Sequence, residues 1–451
     1  MARAMKGSGI EWIGEIPVEW QVPRIKNIIQ QTKNGIKIGP FGSALTNKTT
    51  EKGEYNVYSQ ANLIASDFSF TKNTIDAYTF EELKGYEVFP GDICLSMMGT
   101  IGKCKKVPVG IARGIMDSHL IKIRLSESVD SRFFEYVYDK DLGGVCFSQM
   151  QFDKKGFIMD GLNTSIVKNL FFPLPSKYEQ VRIADFLDSE CARIDAVIEQ
   201  TRASIEEYKK LKQSVITQAV TKGIHPGRKM KDSGIEWVGE IPDEWEVRRI
   251  KTLFRLRDEK NYLPLEEVNL ISLYTDKGVV QHCDLEQTTG NKASNADGYK
   301  KVYENDIVVN IILCWMGAIG RSAYTGVTSP AYDIYVPSDE IECRYYHHYF
   351  RTKGFSGDCY KRGKGIMAMR WRTYSDQFRD IPVVMPPIEE QREILDYLDA
   401  KTAEIEKLIE KKEKFLLEME SYKKSLIFEY VTGKKRCQYE RNSNIKRKMD
   451  S

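Results

Sequence analysis

Apolar residues recur at Ile183, Leu187, Cys191, Ile194, Ile198, Ile205, Tyr208, Leu211, Val215 and Ala219. Spacings of three, four and seven place them in one stripe, which predicts a long helix over residues 176–222. GIHPG (223–227) ends it with glycine and proline. A second stripe runs through Ile394, Leu398, Ile405, Leu408, Phe415, Met419, Tyr422, Leu426 and Tyr430, predicting a helix over 388–432. The two agree in register at a constant offset of 211: Gln180 matches Gln391, Ser214 matches Ser425, and Thr221 matches Thr432. About 42 residues without an insertion make a helix of roughly 63 Å. A dimerising coiled coil would show the same stripes, but a fixed register favours a spacer whose length matters. Before each helix lies a mixed insert, residues 23–175 and 248–387. Short β-branched and aromatic runs such as YNVYSQANLI (55–64) and DICLSMM (92–98) are bounded by Gly, Pro and Asn. Proline-rich FFPLP (171–175) and IPVVMPP (381–387) close the inserts.

The frame around the inserts is stated twice. SGIEWIGEIPVEWQVPRIK (8–26) returns as SGIEWVGEIPDEWEVRRIK (233–251), with four differences in 19 positions, and EQVRIADFLD (179–188) returns as EQREILDYLD (390–399). A period of about half the chain means two copies of one unit. The expected order is a block at 1–22, insert 23–175, helix 176–222, linker and second block 223–247, insert 248–387, helix 388–432 and a basic tail 433–451. Trp12/Trp237 and Trp20/Trp245 are expected to be apolar anchors of the frame. The fold class is α/β (α+β).

Composition narrows this only modestly. The 451 residues suit two to four domains, and 41% hydrophobic with 29% charged residues fits a globular chain. No apolar run approaches the ~20 residues of a membrane span, and the first residues carry no signal-like stretch. Nine cysteines without a CxxC pair point to reduced thiols and a cytoplasmic setting. A net charge of +3 says nothing about partners. The tail, with Lys434, Lys435, Arg436, Arg441, Lys446, Arg447 and Lys448 against Glu440, is expected to be a solvated, disordered end.

The chain has no GxGxxG or GxxxxGK[ST], no histidine or cysteine spacing suited to a metal, and no Asn/Asp-Pro-Pro-aromatic motif. We therefore expect no catalytic and no metal residue in it, and a binding role. Candidate DNA contacts lie in the inserts. KRGKG (361–365) and MAMRWR (367–372) offer Lys361, Arg362, Lys364, Arg370, Trp371 and Arg372 for phosphates and guanine edges; a solvated basic loop has the same composition. IKIGPFGSAL (36–45) offers Lys37 and Ser43, and SQAN (59–62) offers Gln60 and Asn62, side chains able to read adenine. MGTIGK (98–103) echoes MGAIGR (316–321), each following an Asp-Ile strand start. A core turn is the favoured reading there, with Lys103 and Arg321 as possible contacts.

The doubled block S-G-I-E-W-(I/V)-G-E-I-P-x-x-W, the proline-rich insert ends, and E-Q with a long helix together resemble the specificity subunit of type I restriction–modification systems. SPAYDIY (329–335) and WMGAIG (315–320) look like one class of its target-recognition domains. The resemblance implies two target-recognition domains separated by antiparallel helices with pseudo-twofold symmetry. Each insert would read one half of a bipartite DNA site, asymmetric because the inserts differ. Two adenine-methylating subunits would dock on the helices and proline-rich junctions, where Pro175, Gln180, Pro386 and Gln391 are the candidates, and motor/nuclease subunits would join for restriction. S-adenosylmethionine, ATP and Mg²⁺ would belong to those partners, and no cofactor to this chain. A ~63 Å spacer corresponds to at most roughly 18 base pairs at ~3.4 Å each. The rival from another class is a two-headed protein-binding scaffold; a nuclease with dispersed carboxylates is a third.

Overall fold

Beyond the MGTIGK/MGAIGR echo the inserts hardly repeat each other in sequence, yet each builds a four-stranded sheet of the same order. The structure, a computed structural model, describes residues 3–46, 48–152, 162–282, 295–365 and 371–437. Arg370 and the tail residues Glu440, Arg441, Lys446, Arg447 and Lys448 lie outside the described residues. The chain forms two units, Met1–Thr201 with Lys414–Ser451, and Arg202–Glu413.

In the first unit, strands β1 (Ile36–Ile38), β2 (Ile93–Ser96), β3 (Cys104–Lys106) and β4 (Leu120–Ile123) form an antiparallel sheet in the order β1-β4-β2-β3. In the second, β5 (Phe254–Arg257), β6 (Ile307–Asn310), β7 (Ile319–Arg321) and β8 (Tyr332–Pro337) take the order β5-β8-β6-β7. The registers correspond: Ile93 faces Lys106 and Ile123, while Ile307 faces Arg321 and Tyr335. The central strands ICLS and IVVN are buried throughout, so they are apolar on both faces instead of alternating. Each begins after an aspartate that closes a turn. Asp92 accepts the N–H of Phe89 (3.0 Å) and Asp306 that of Tyr303 (2.8 Å). The turn needs a left-handed residue, Gly91 (φ 91°) in one copy and Asn305 (φ 71°) in the other. MGTIGK forms the connection from β2 to β3, while MGAIGR closes the longer connection after β6 and runs into β7. Both open on an exposed methionine, Met98 and Met316, so neither is wholly the core turn expected.

Against each sheet packs an amphipathic helix. Helix α1 (Ser131–Tyr138) is capped by Asp130, which accepts the N–H of Arg132 (3.0 Å) and Phe133 (3.1 Å). It buries Phe133, Phe134, Val137 and Tyr138. After the first proline-rich junction comes α2 (Lys177–Lys222). The second unit repeats the order with α3 (Cys343–Phe350), burying Tyr345, Tyr346, Tyr349 and Phe350, and then α4 (Ile388–Val431). The long helices run antiparallel within each unit. In the first, Phe186 meets Tyr430 at 4.4 Å between ring centroids and Asp195 pairs with Lys423 at 2.6 Å. In the second, Lys412 lies over Tyr208 (5.7 Å) and Lys212 pairs with Glu406. Ile183, Leu187, Cys191, Ile194 and Ile198 enter the first core with Leu426 and Ile427, and Ile216, Ala219, Ile394 and Leu398 enter the second.

The duplicated blocks form matching hairpins, Met5–Gly7 with Glu15–Pro17 and Met230–Asp232 with Glu240–Pro242. Trp20 and Trp245 are fully buried and donate Nε1–H to Glu179 (3.0 Å) and Glu390 (2.9 Å), in the first turns of α2 and α4. Arg3 and Arg228 pair with those same carboxylates, so the repeat extends upstream of the serine where the sequence match becomes obvious.

Candidate nucleic-acid interface

The loops at one sheet end of each unit gather several predicted contacts and exclude others. In the first unit β1 and β2 end where β4 begins. There Gly39 N–H donates to Leu120 O (2.9 Å), Asp117 N–H to Tyr58 O (2.8 Å) and Met97 N–H to His119 O (2.9 Å). This convergence presents Ser43, exposed on the short helix Gly42–Leu45, beside Phe41, which is 87% exposed. Gln60 lies against the MGTIG turn, its Nε2 4.0 Å from a Cβ built on Gly99. Its Oε1 is buried and has no partner among the described residues. Asn62, by contrast, is an internal cap. Its Oδ1 accepts Ser59 N–H (2.9 Å) and its Nδ2 donates to Asp67 O (2.9 Å) and Phe70 O (2.8 Å). Lys37 donates to Gly85 O (3.0 Å) over the Tyr86 ring, and Lys103 pairs with Asp141 at 2.5 Å. Internal contacts occupy all three.

In the second unit the extra residues after β6 form a 3₁₀ turn, Cys314–Met316. It brings Trp315 to Tyr360 (5.6 Å between centroids), and Trp371 stacks on the same ring at 4.9 Å. The indole Nε1–H of Trp371 donates to Tyr360 O (3.1 Å). Gly363 permits this approach, because a Cβ there would lie 2.3 Å from that nitrogen. Lys364 and Arg372 exchange backbone hydrogen bonds (2.8 and 3.0 Å). No carboxylate pairs with either among the described residues. Lys361 pairs with Glu236 (2.5 Å), Arg362 lies 3.8 Å from Asp380, and Arg321 donates to Asn305 (2.7 Å). The two sheet ends are equivalent: Leu162 N–H donates to Met97 O (2.8 Å) and Thr373 N–H to Ile311 O (2.9 Å). The sequence reading missed Trp315 and Tyr360, whose partnership with Trp371 no linear spacing reveals.

Pro175, Gln180, Pro386 and Gln391 need correction as direct partner contacts, because all four are buried. Gln180 accepts Asp130 N–H (2.7 Å) and donates to Ser128 O (3.0 Å) and Pro175 O (2.9 Å). Gln391 accepts Glu342 N–H (2.8 Å) and donates to Pro386 O (2.8 Å). Each glutamine fastens an insert and its proline junction to the start of a long helix.

A family model described as Type I restriction modification DNA specificity domain matches residues 17–207 and 242–415. The chain belongs to this family. It is 26% identical over 443 residues to the putative type I restriction enzyme MjaX specificity subunit of Methanocaldococcus jannaschii, covering 94% of this chain and 95% of that protein. To the type I restriction enzyme MjaVIII specificity subunit of the same organism it is 26% identical over 250 residues, 55% of this chain and 52% of that one. Two solved structures share the fold. The HsdS subunit from Thermoanaerobacter tengcongensis has 16% identity and a TM-score of 0.51 over 93% of this chain and 98% of its own. A chain of a structure described as the basis of assembly and conformational transition of the type I R-M system has 14% identity and a TM-score of 0.66, over 92% and 98%.

The two halves of this specificity subunit satisfy one backbone site with opposite chemistry. Glu135 on α1 accepts Lys106 N–H (3.2 Å), whereas His347 on α3 accepts Arg321 N–H through Nδ1 (3.1 Å). The ring must be neutral to accept. Burial, then the neighbouring His348, Arg351, Arg321 and Arg344, push its pKa down from 6.5 to about 3. The folded state thus refuses a proton that the unfolded chain binds below pH ~6.5. Stability is complete above that pH and is lost as the pH falls towards 3. Between pH 7.5 and 5 the wild type should lose about 2 kcal/mol more than His347→Gln, which keeps an acceptor but cannot titrate. Urea midpoints at the two pH values measure this, and equal losses would refute it.

Proposed function

We propose that each insert reads one half of an asymmetric, bipartite DNA target, and that the long helices set the gap and dock two adenine methyltransferase subunits. The observation that carries this is one sheet, built twice, presenting two chemistries at the same end. One end offers Ser43 and Gln60 beside exposed Phe41; the other offers the Trp315–Tyr360–Trp371 stack with Lys364 and Arg372. Base edges are read by such polar and cationic groups, and phosphates position them. The docking face then falls to exposed apolar residues of the long helices, such as Leu417 (69% exposed) and Tyr422 (53%), instead of the buried glutamines. In this reading the chain is a non-catalytic cytoplasmic subunit. S-adenosylmethionine, ATP and Mg²⁺ act on the methyltransferase and the motor/nuclease subunits that complete the complex.

Exchanging residues 23–175 for the insert of another family member tests the reading. The map of methylated adenines in cells carrying the chimera and its methyltransferase should show one half-site changed and the other intact. Change in both halves, or in neither, would sink it. Steep salt dependence of DNA binding separates it from a protein scaffold.

A further inference from the structure

We propose that a cationic cleft of the second unit, between its insert and its long-helix segments, binds backbone phosphates of the DNA that the insert reads. The inference rests on the DNA-reading function above and assigns it a second contact surface. The cleft has a volume of about 520 Å³. Lys212, Lys277, Arg351 and Lys353 line it, with Asp276 and Glu406 as the acidic residues.

Arg351 is held in the cleft wall by backbone carbonyls. Its guanidinium donates to the carbonyls of Ile319 (3.1 Å), Thr275 (3.0 Å) and Asp276 (2.8 Å). Carbonyl dipoles orient the charge without cancelling it, and no carboxylate pairs with Arg351 among the described residues. Burial lowers its pKa, as expected for a cation lacking a counter-charge. Lys277 and Lys353 are exposed and likewise have no carboxylate partner among the described residues, whereas Lys212 is paired with Glu406. The helix Lys353–Arg362 starts at this wall, adding the positive end of its dipole to the cations. The first unit lacks this arrangement: at the place of Arg351 it has Asp139, which accepts the N–H of Cys104 (2.7 Å) and Asp141 (2.9 Å). The charge is therefore a property of one half of the molecule and not a by-product of the repeated fold.

Position favours DNA over an acidic protein. Met316 and Gly317 border the cleft, and the adjoining Trp315 belongs to the aromatic stack beside Lys364 and Arg372. A strand read at the stack would carry its phosphates along this loop into the cleft.

The test is the salt dependence of binding by the full chain, with a duplex of about 40 base pairs of arbitrary sequence, since phosphates carry no sequence information. Lys277→Gln with Lys353→Gln should make the slope of log K against log[salt] less negative by roughly two, and weaken binding roughly ten- to a hundredfold near 0.1 M salt. Thermal unfolding should not change, because both side chains are exposed. Lys401→Gln, which removes an exposed partner of Glu404, should leave the slope alone. A wild-type slope retained by the double variant overturns the cleft and leaves the function standing. Retained slope with weaker capture of the methyltransferase subunit reassigns the cleft to an acidic protein surface and also overturns it. A wild type without salt-dependent binding overturns the DNA-reading function and the cleft together.

Discussion

Trp245→Ala is expected to destabilise the second unit by about 4 kcal/mol, and Trp20→Ala the first by a similar amount. Both rings are fully buried, and neither is only apolar filler. Trp245 belongs to one buried core with Ile241, Ile250, Leu395 and Leu398, so truncation opens a cavity in a core shared by hairpin, insert and helix. It also removes the indole donor from Glu390, a carboxylate buried beside Arg228. Losing a donor to a buried charge costs about 1.5–3 kcal/mol. Trp245→Phe should therefore recover roughly half of the loss, since it restores packing without the N–H. Denaturant unfolding gives the size of the effect, and hydrogen exchange locates it. Amides within Arg202–Glu413 should lose protection first in the Trp245 variant. A cost below about 1 kcal/mol would mean that the blocks merely decorate the inserts instead of seating them.

The long helices were readable because their apolar period is sustained over many turns, and the duplicated blocks because they are nearly identical. The sheet was hidden for the opposite reason. Its strands are three to six residues long, and ICLS and IVVN show no alternation, so their pairing is decided by neighbours far along the chain. The candidate sites divide in the same way. Trp371, Lys364 and Arg372 lie where a ligand can reach them, whereas Gln60 is half-buried and its Oε1 is covered. Asn62, Lys37 and Lys103 have equally suitable side chains, but neighbours invisible in the linear sequence engage them. The register match paired Gln180 with Gln391, and both were expected to meet a partner subunit. Their role came out differently because burial, which the stripe pattern does not resolve at a helix start, makes them internal clamps. Arg3 and Arg228 could have been found: each begins an R-x-M-K string at the same distance before SGIEW.

Four residues inserted into both long helices, after Ile205 in α2 and after Glu413 in α4, should lengthen the gap between half-sites by about two base pairs and leave the half-sites unchanged. Four residues add ~6 Å of helix, and one base pair occupies ~3.4 Å. Both helices must be altered because their partnerships are antiparallel. Phe186 with Tyr430 and Asp195 with Lys423 lie in the first unit, and Tyr208 with Lys412 and Lys212 with Glu406 in the second. The paired insertion falls between these two sets and leaves each intact. An insertion in α2 alone lengthens one helix against an unchanged neighbour, so one set must slip by about a turn. The single insertion should therefore abolish methylation or strongly reduce it, whereas the double insertion should move it to a longer site. Mapping methylated adenines distinguishes these outcomes. A double insertion that still methylates the original gap would show that the helices dock partners without measuring DNA.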